Sequence, residues 1–304
     1  MMRPSWRCGG LLALVVVLFL LDAMVPSARA AGEAVITWGA DLSNRDRAKV
    51  RRIMQIQQHS GPLWELQVTN SEEQALLGNS VPASYLGTRA ISSAYVRPLE
   101  PGSGLQVTTH NITWVSRRMF AQALITGGVR DAEVIVAAPA PVSGTAALTG
   151  IFKAFEAAAD ADLPEQGKRI AGEELYVTRE VGENVGHEQA SDLMERVKEE
   201  LVGQKFTDKT AIIDLIRKSA LEIGIELSPA DVQQIADLMA KINSLDLKQN
   251  DLQIQLDKMS GRVDRLLGTQ MGLKDTITSW FQRLVDLIAR LLDQFMSFVA
   301  GARP

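Results

Sequence analysis

Ser143, Gly144 and Thr145, in the stretch AAPAPVSGTAALTG, stand between an apolar run and a segment with the composition of a helix. Hydroxyls and free amides gathered at a helix start can hold an anion against the positive end of the dipole, present a nucleophile, or simply cap the helix. Asp41 and Ser43 follow the first apolar run, and Asn70 and Ser71 follow the second. All could line one rim, since open α/β sheets collect ligands at the carboxyl ends of their strands. The fuller phosphate-loop and G-x-S-x-G patterns are missing, so capping and anion binding both stay open for Ser143, Gly144, Thr145, Asp41 and Ser43.

His110 and Asn111, between Thr108 and Thr113, make a second polar group in which a general base is conceivable. The three histidines, His59, His110 and His187, lie in separate contexts without the i,i+4 spacing of a helical metal pair. Asp160, Asp162 and Glu165 lack the spacing of a calcium loop. The expectation is therefore no metal and no cofactor. Arg45, Lys49 and Arg52 share one face of the first helix, a row suited to an acidic envelope polymer, to lipid headgroups or to plain water.

Compartment follows from the opening residues. Arg3 and Arg7 precede an apolar run from Leu11 to Leu21, and Ala28-Arg29-Ala30 supplies a small-x-small end, the pattern of a secretory signal peptide cut after Ala30. The run is shorter than the ~20 apolar residues of a spanning helix and is closed by Asp22. Cleavage removes Cys8, the single cysteine, and with it disulfide and thiolate chemistry. Losing Arg3, Arg7, Arg29 and Asp22 takes the formal charge from −4 to −6, which disfavours nucleic acid as a partner. The protein is expected outside the cytoplasm, secreted or in the cell envelope.

The elements that must position these groups are α/β in class. From Glu33 to about Asp160 short apolar runs alternate with helical patterns, giving the order β-α-β-α-β-β-α-β-α and a mixed five-stranded sheet with flanking helices. Ser43 and Asp46 have capping-box spacing, and Asn70 is read as the cap of the next helix with Glu73 three residues on. The segments Arg89–Val96 and Leu105–Val115, flanking PLEPGSG, read as a hairpin with a longer connection. In the second, Leu105 and Val107 fall in one phase and Ile112 and Trp114 in the other, so a bulge or bend belongs between Thr108 and Asn111.

After Asp160 the pattern is all helical, with Ser228-Pro229-Ala230-Asp231 as a strong helix start. The divisions are a signal peptide over 1–30, an α/β domain over 31–160, a helical region over 161–247, and over 248–304 an extended helix or short coiled coil followed by an amphipathic helix. In that last helix Ile277, Phe281, Leu284, Ile288, Leu291, Phe295 and Phe298 form an apolar seam opposite Arg283, Asp286, Arg290 and Asp293. The seam points to a homo-oligomer, to docking on its own chain or to contact with a membrane surface.

The pieces TWGADLS, LGTRAISSAYVRPLEPGSGLQVTTHNITWVS, DAEVIVAAPAPVSGTAALTGIFKAFE and IELSPADVQQIADLMAKI resemble the bacterial family called domain of unknown function 1002, the YpuA-like secreted proteins. The resemblance covers about Ala34 to Leu247 and implies a bacterial exported protein, with no catalytic residues to carry over. Function then rests on residues: a non-catalytic ligand- or partner-binding envelope protein whose ligand is unidentified, with an extracytoplasmic hydrolase built on Asp41, His110 and Ser143 as the alternative.

Overall fold

The computed structural model describes residues 33–56, 61–204, 206–245 and Gln255. The segments expected to form the signal peptide, the extended helix and the amphipathic terminal helix lie outside the described residues, Gln255 excepted.

Strand β1 (Ala34–Gly39) leads to α1 (Asn44–Ile53), β2 (Leu63–Val68), α2 (Asn70–Leu77), a single turn α3 (Ala83–Leu86), β3 (Ser93–Pro98), β4 (Gln106–Ile112), α4 (Arg117–Thr126), β5 (Ala132–Val142) and α5 (Thr145–Ala159). The sheet order is β2-β1-β3-β5-β4. Because β1 runs parallel to β2, antiparallel to β3, and β3 antiparallel to β5, which is parallel to β4, four strands share one direction and β3 alone opposes them. The expected mixed five-stranded sheet is therefore present, with the carboxyl ends of β1, β2, β4 and β5 on one rim.

The expected hairpin is not formed: β3 and β4 are separated by β5. Hairpin logic assumes that consecutive strands pair. Here the Pro-Gly-rich link is long enough to step over one intervening strand, roughly two spacings of 4.8 Å. Asp131, just before β5, fastens it: its carbonyl accepts from Leu99 N at 2.6 Å and its Oδ1 from Gly104 N at 2.7 Å. The bulge does lie where the phase break puts it. Pairing of His110 with Ala137 is followed by Ile112 with Val142, and Asn111 between them takes a left-handed φ of 59° with its side-chain amide on Ala138 O at 2.8 Å.

Alternation along the strands splits the core into two layers. Ile36, Trp38, Tyr95 and Ala137 face α1, whose Val50 leads the contact together with Met54 just beyond the helix. Val35, Ala94, Val96, Val134 and Val136 face α5 and α4 through Ala147, Leu148, Ile151, Phe152, Phe120 and Leu124. Edge strand β2 is covered only toward its end: Val68 is buried, but Trp64 is 62% exposed.

Beyond Asp160 stand α6 (Glu165–Val185), α7 (His187–Gly203), α8 (Lys209–Glu222) and α9 (Pro229–Asn243) around a core of Val181, Leu193, Met194, Val197, Ile216, Ile235 and Met239. Ser228 and Asp231 form the capping box expected for α9, with Pro229 at its first position. A buried polar knot joins this bundle to the sheet layer. The Lys198 ammonium donates to Gln122 O at 3.1 Å, Thr126 Oγ1 at 2.9 Å and the Glu174 carboxylate, while Thr126 Oγ1 donates to Glu174 Oε2 at 2.5 Å. Burial pushes the Lys198 ammonium down from its ordinary pKa, against the pull of Glu174. Arg118, beside it, pairs with Glu195 at 2.6 Å and Asp192 at 3.0 Å.

Candidate functional site

The rim at the carboxyl ends of the strands carries every candidate residue, but in separate groups. Ser143 and Gly144 follow β5, and Thr145 opens α5. Gly144 sits at φ +94°, and a Cβ there would lie 2.5 Å from Ile112 Cγ2, so glycine is required both by the backbone angle and by the neighbouring end of β4. Ser143 Oγ lies 3.3 Å from Thr145 Oγ1, and among the described residues no histidine or carboxylate is bonded to it. A nucleophile needs a base bonded to it, and among the described residues the one side-chain partner of Ser143 is the Thr145 hydroxyl.

Asp41 and Ser43 lie two strands away, after β1. Asp41 Oδ2 accepts from Ala90 N at 2.7 Å, its N–H donates to Ala90 O at 3.1 Å, and Arg89 donates to its carbonyl at 3.1 Å. The segment before β3 is thereby laid across the end of β1. A Cβ on Gly39 would come within 2.4 Å of Ala90 O, a measure of how closely that segment seals the rim. Ser43 caps α1, accepting from Asp46 N at 3.1 Å and donating to Asp46 Oδ2 at 2.7 Å. His110 is half-buried in edge strand β4, and Asn111 holds the bulge. With β3 and β5 between β1 and β4, Asp41 and His110 are three strand spacings apart, about 14 Å. The triad of Asp41, His110 and Ser143 is not brought together.

What the rim does bring to Thr145 is Glu73, a residue the sequence reading treated as part of a helix cap. The cap lies one residue earlier. Thr69 accepts from Glu72 N at 3.2 Å, and Glu72 Oε2 accepts from Thr69 N at 2.8 Å, closing the capping box. Asn70 is thus the first helical residue, and Glu73 turns inward. Its side chain has no exposed surface, Asn70 Nδ2 donates to its Oε2 at 3.3 Å, and its Oε1 has no partner among the described residues. Burial pushes the Glu73 carboxyl up to about 7, against the opposing pull of the Thr145 hydroxyl and the Asn70 amide. One turn along α5, Thr149 Oγ1 is also buried without a partner.

The arrangement places the protein's own acid beside the first turn of α5, where sequence reasoning left room for an outside anion. The signal that could have found it is the second acid in NSEE: when Glu72 is consumed by the cap of Thr69, its neighbour must point elsewhere. Away from the rim, an open groove of about 430 Å³ lies against α6 and α9, lined by Ser80, Arg169, Glu173 and Lys241, with Lys241 paired to Glu173 at 2.6 Å. Among the described residues there is no cluster of three His, Cys, Asp or Glu side chains, and no helix long and apolar enough to cross a membrane.

The family model described as "Protein of unknown function (DUF1002)" matches residues 38–259. The chain is similar to a protein of Bacillus subtilis (strain 168) described as "Uncharacterized protein YpuA", 33% identical over 297 residues that cover 97% of this chain and 99% of the relative. No solved structure matches.

Proposed function

We propose that this chain, which belongs to the DUF1002 family of proteins of unknown function, is an exported, non-catalytic binding protein of the cell envelope or extracellular space. In this reading the leader is removed after Ala30, the α/β body and its helical bundle present a rigid surface, and the terminal amphipathic helix assembles the protein with a second copy or attaches it to a membrane. The observation that carries the reading is the fate of the rim groups. Asp41 and Ser43 are bonded to the protein's own backbone amides, His110 lies on β4 with β3 and β5 between it and β1, after which Asp41 stands, and the helix start at Thr145 faces the internal acid Glu73. A catalytic constellation needs a nucleophile, a base and an orienting group in mutual reach.

The test is thermal melting of the mature protein, with and without the last helix, against phosphorylated, carboxylated and cell-wall-derived compounds. The expected result is no rise that depends on the Ser143 and Thr145 hydroxyls, together with loss of self-association or membrane recovery in a chain ending at Leu267. A concentration-dependent rise abolished by Ser143→Ala plus Thr145→Ala, accompanied by turnover of the same compound, overturns the reading in favour of an extracytoplasmic hydrolase.

A further inference from the structure

We propose that the outward face of α1 docks the protein on an anionic phospholipid membrane, an inference that rests on the envelope reading above and names the surface involved. Ten residues of α1 hold Arg45, Arg47, Lys49, Arg51 and Arg52 against the single acid Asp46, a local charge of +4 in a chain whose total is −4. The rest of the chain is therefore net acidic, and α1 is a locally basic element within it.

Packing divides these cations into two sets. Val50 is fully buried on the sheet, Arg51 lies over the Trp38 ring at 5.3 Å and pairs with Glu65, and Arg47 Nε is buried. That side of the helix faces inward. Arg45, Lys49 and Arg52 are exposed and make no ion pair or hydrogen bond among the described residues. Spaced i, i+4, i+7, they form one stripe about 10 Å long. Of the nearby acids, Glu65 is charge-paired with Arg51 and bonded by Trp38 Nε1 at 2.9 Å, while Asp46 caps the helix start, accepting from Ser43 Oγ at 2.7 Å, and is already counted in the +4.

A free cationic stripe on the outermost layer of a sheet face suits a flat anionic surface, because every member can reach the plane at once. Guanidinium forks also match phosphate oxygens in pairs. A phosphate polymer would gain most from a groove that wraps it, and the described groove, lined by Ser80, Arg169, Glu173 and Lys241, involves none of the residues of α1.

The experiment measures binding of the mature protein to vesicles of phosphatidylcholine alone and of phosphatidylcholine with phosphatidylglycerol. Binding is expected only with the anionic lipid, and it should weaken as ionic strength rises from about 0.01 M to about 1 M, where the screening length falls from about 30 to about 3 Å. Arg45→Gln, Lys49→Gln and Arg52→Gln together should weaken it about a hundredfold, at about fivefold per cation near an anionic surface. Arg45→Lys, Lys49→Arg and Arg52→Lys together should bind like the parent, which separates charge from folding.

Equal binding to both vesicles, parental binding by the triple glutamine variant, or capture by soluble polyphosphate without vesicle binding each overturns the proposal. If the glutamine variant binds like the parent while the chain ending at Leu267 does not, this inference fails and the envelope reading stands. If neither variant differs from a parent that neither binds vesicles nor self-associates, both fail.

Discussion

Glu73→Gln separates a buried acid from the rest of the fold with a single atom change. The carboxyl is displaced from an ordinary value of 4.5 to about 7 because burial removes water from its charged form. Below about pH 4.5 the folded and unfolded chains both hold the proton, and the residue costs the fold no charge burial. Between about pH 4.5 and 7 the unfolded chain releases a proton that the folded chain retains, so stability falls as pH rises, and above about pH 7 the loss is complete. At about 1.4 kcal/mol per pH unit, the full loss is about 3 kcal/mol.

Glutamine keeps the shape and cannot ionise. The stability difference between Glu73→Gln and the parent, from urea unfolding at a series of pH values, should therefore climb by about 3 kcal/mol from about pH 4 to about pH 8. The difference curve removes contributions common to both proteins, including that of Glu72. Burial opposes ionisation of Glu72, but its bonds from Lys153 and Thr69 prevail and hold it below its ordinary value. A difference flat across this range would mean that Glu73 ionises as a solvated acid does, and the account of the rim as closed over it would be wrong.

Two further substitutions test the packing. Lys198→Met should destabilise by about 3–5 kcal/mol in urea unfolding, since it leaves the Glu174 carboxylate buried without its counter-charge, whereas adding Glu174→Leu and Thr126→Val should recover much of the loss; a single-variant cost below about 1 kcal/mol would refute the claim that the pair is buried and mutually dependent. Gly144→Ala should cost about 2–4 kcal/mol, combining the left-handed backbone penalty with overlap on Ile112, and the double variant with Ile112→Ala should cost less than the sum of the two singles.

Local signals in the sequence carried far, and the reasons they stopped are physical. The capping residues Ser43 and Ser228 sit before α1 and α9 because side-chain acceptors there answer free amides, a rule that needs no tertiary information. The bulge at Asn111 was legible for a similar reason: the apolar phase of β4 changes there. Strand order was not legible, because pairing is decided by the sheet as a whole and a seven-residue link serves a hairpin or a step over β5 equally well.

Site residues failed on finer points. Glu73 was hidden by a cap assigned one residue late, and Asp41 reads as a free rim acid until the segment at Ala90 is seen lying on it. The Lys198–Glu174 pair was hidden by the habit of placing charges in water. Yet Lys198 follows Met194 by one turn on a stripe that continues to Leu201, and Glu174 follows Ile170 on the stripe of Val177 and Val181, so both occupy core positions of their own helices.

Helix α6 gives the molecule a shared liability. Ala171 and Leu175 belong to the apolar layer under the sheet, while Ile170, Val177 and Val181 belong to the bundle, and Glu174 is knotted to α4 and α7 from the same turn of helix. A side chain lost from either layer loosens the rod on which the other leans. Damage therefore does not stay where it is made. A survey of random substitutions would show weak points scattered from β1 to α9 that report one common loss, and crosses between relatives that exchange the sheet layer without α6 would inherit mismatched halves of a single interior.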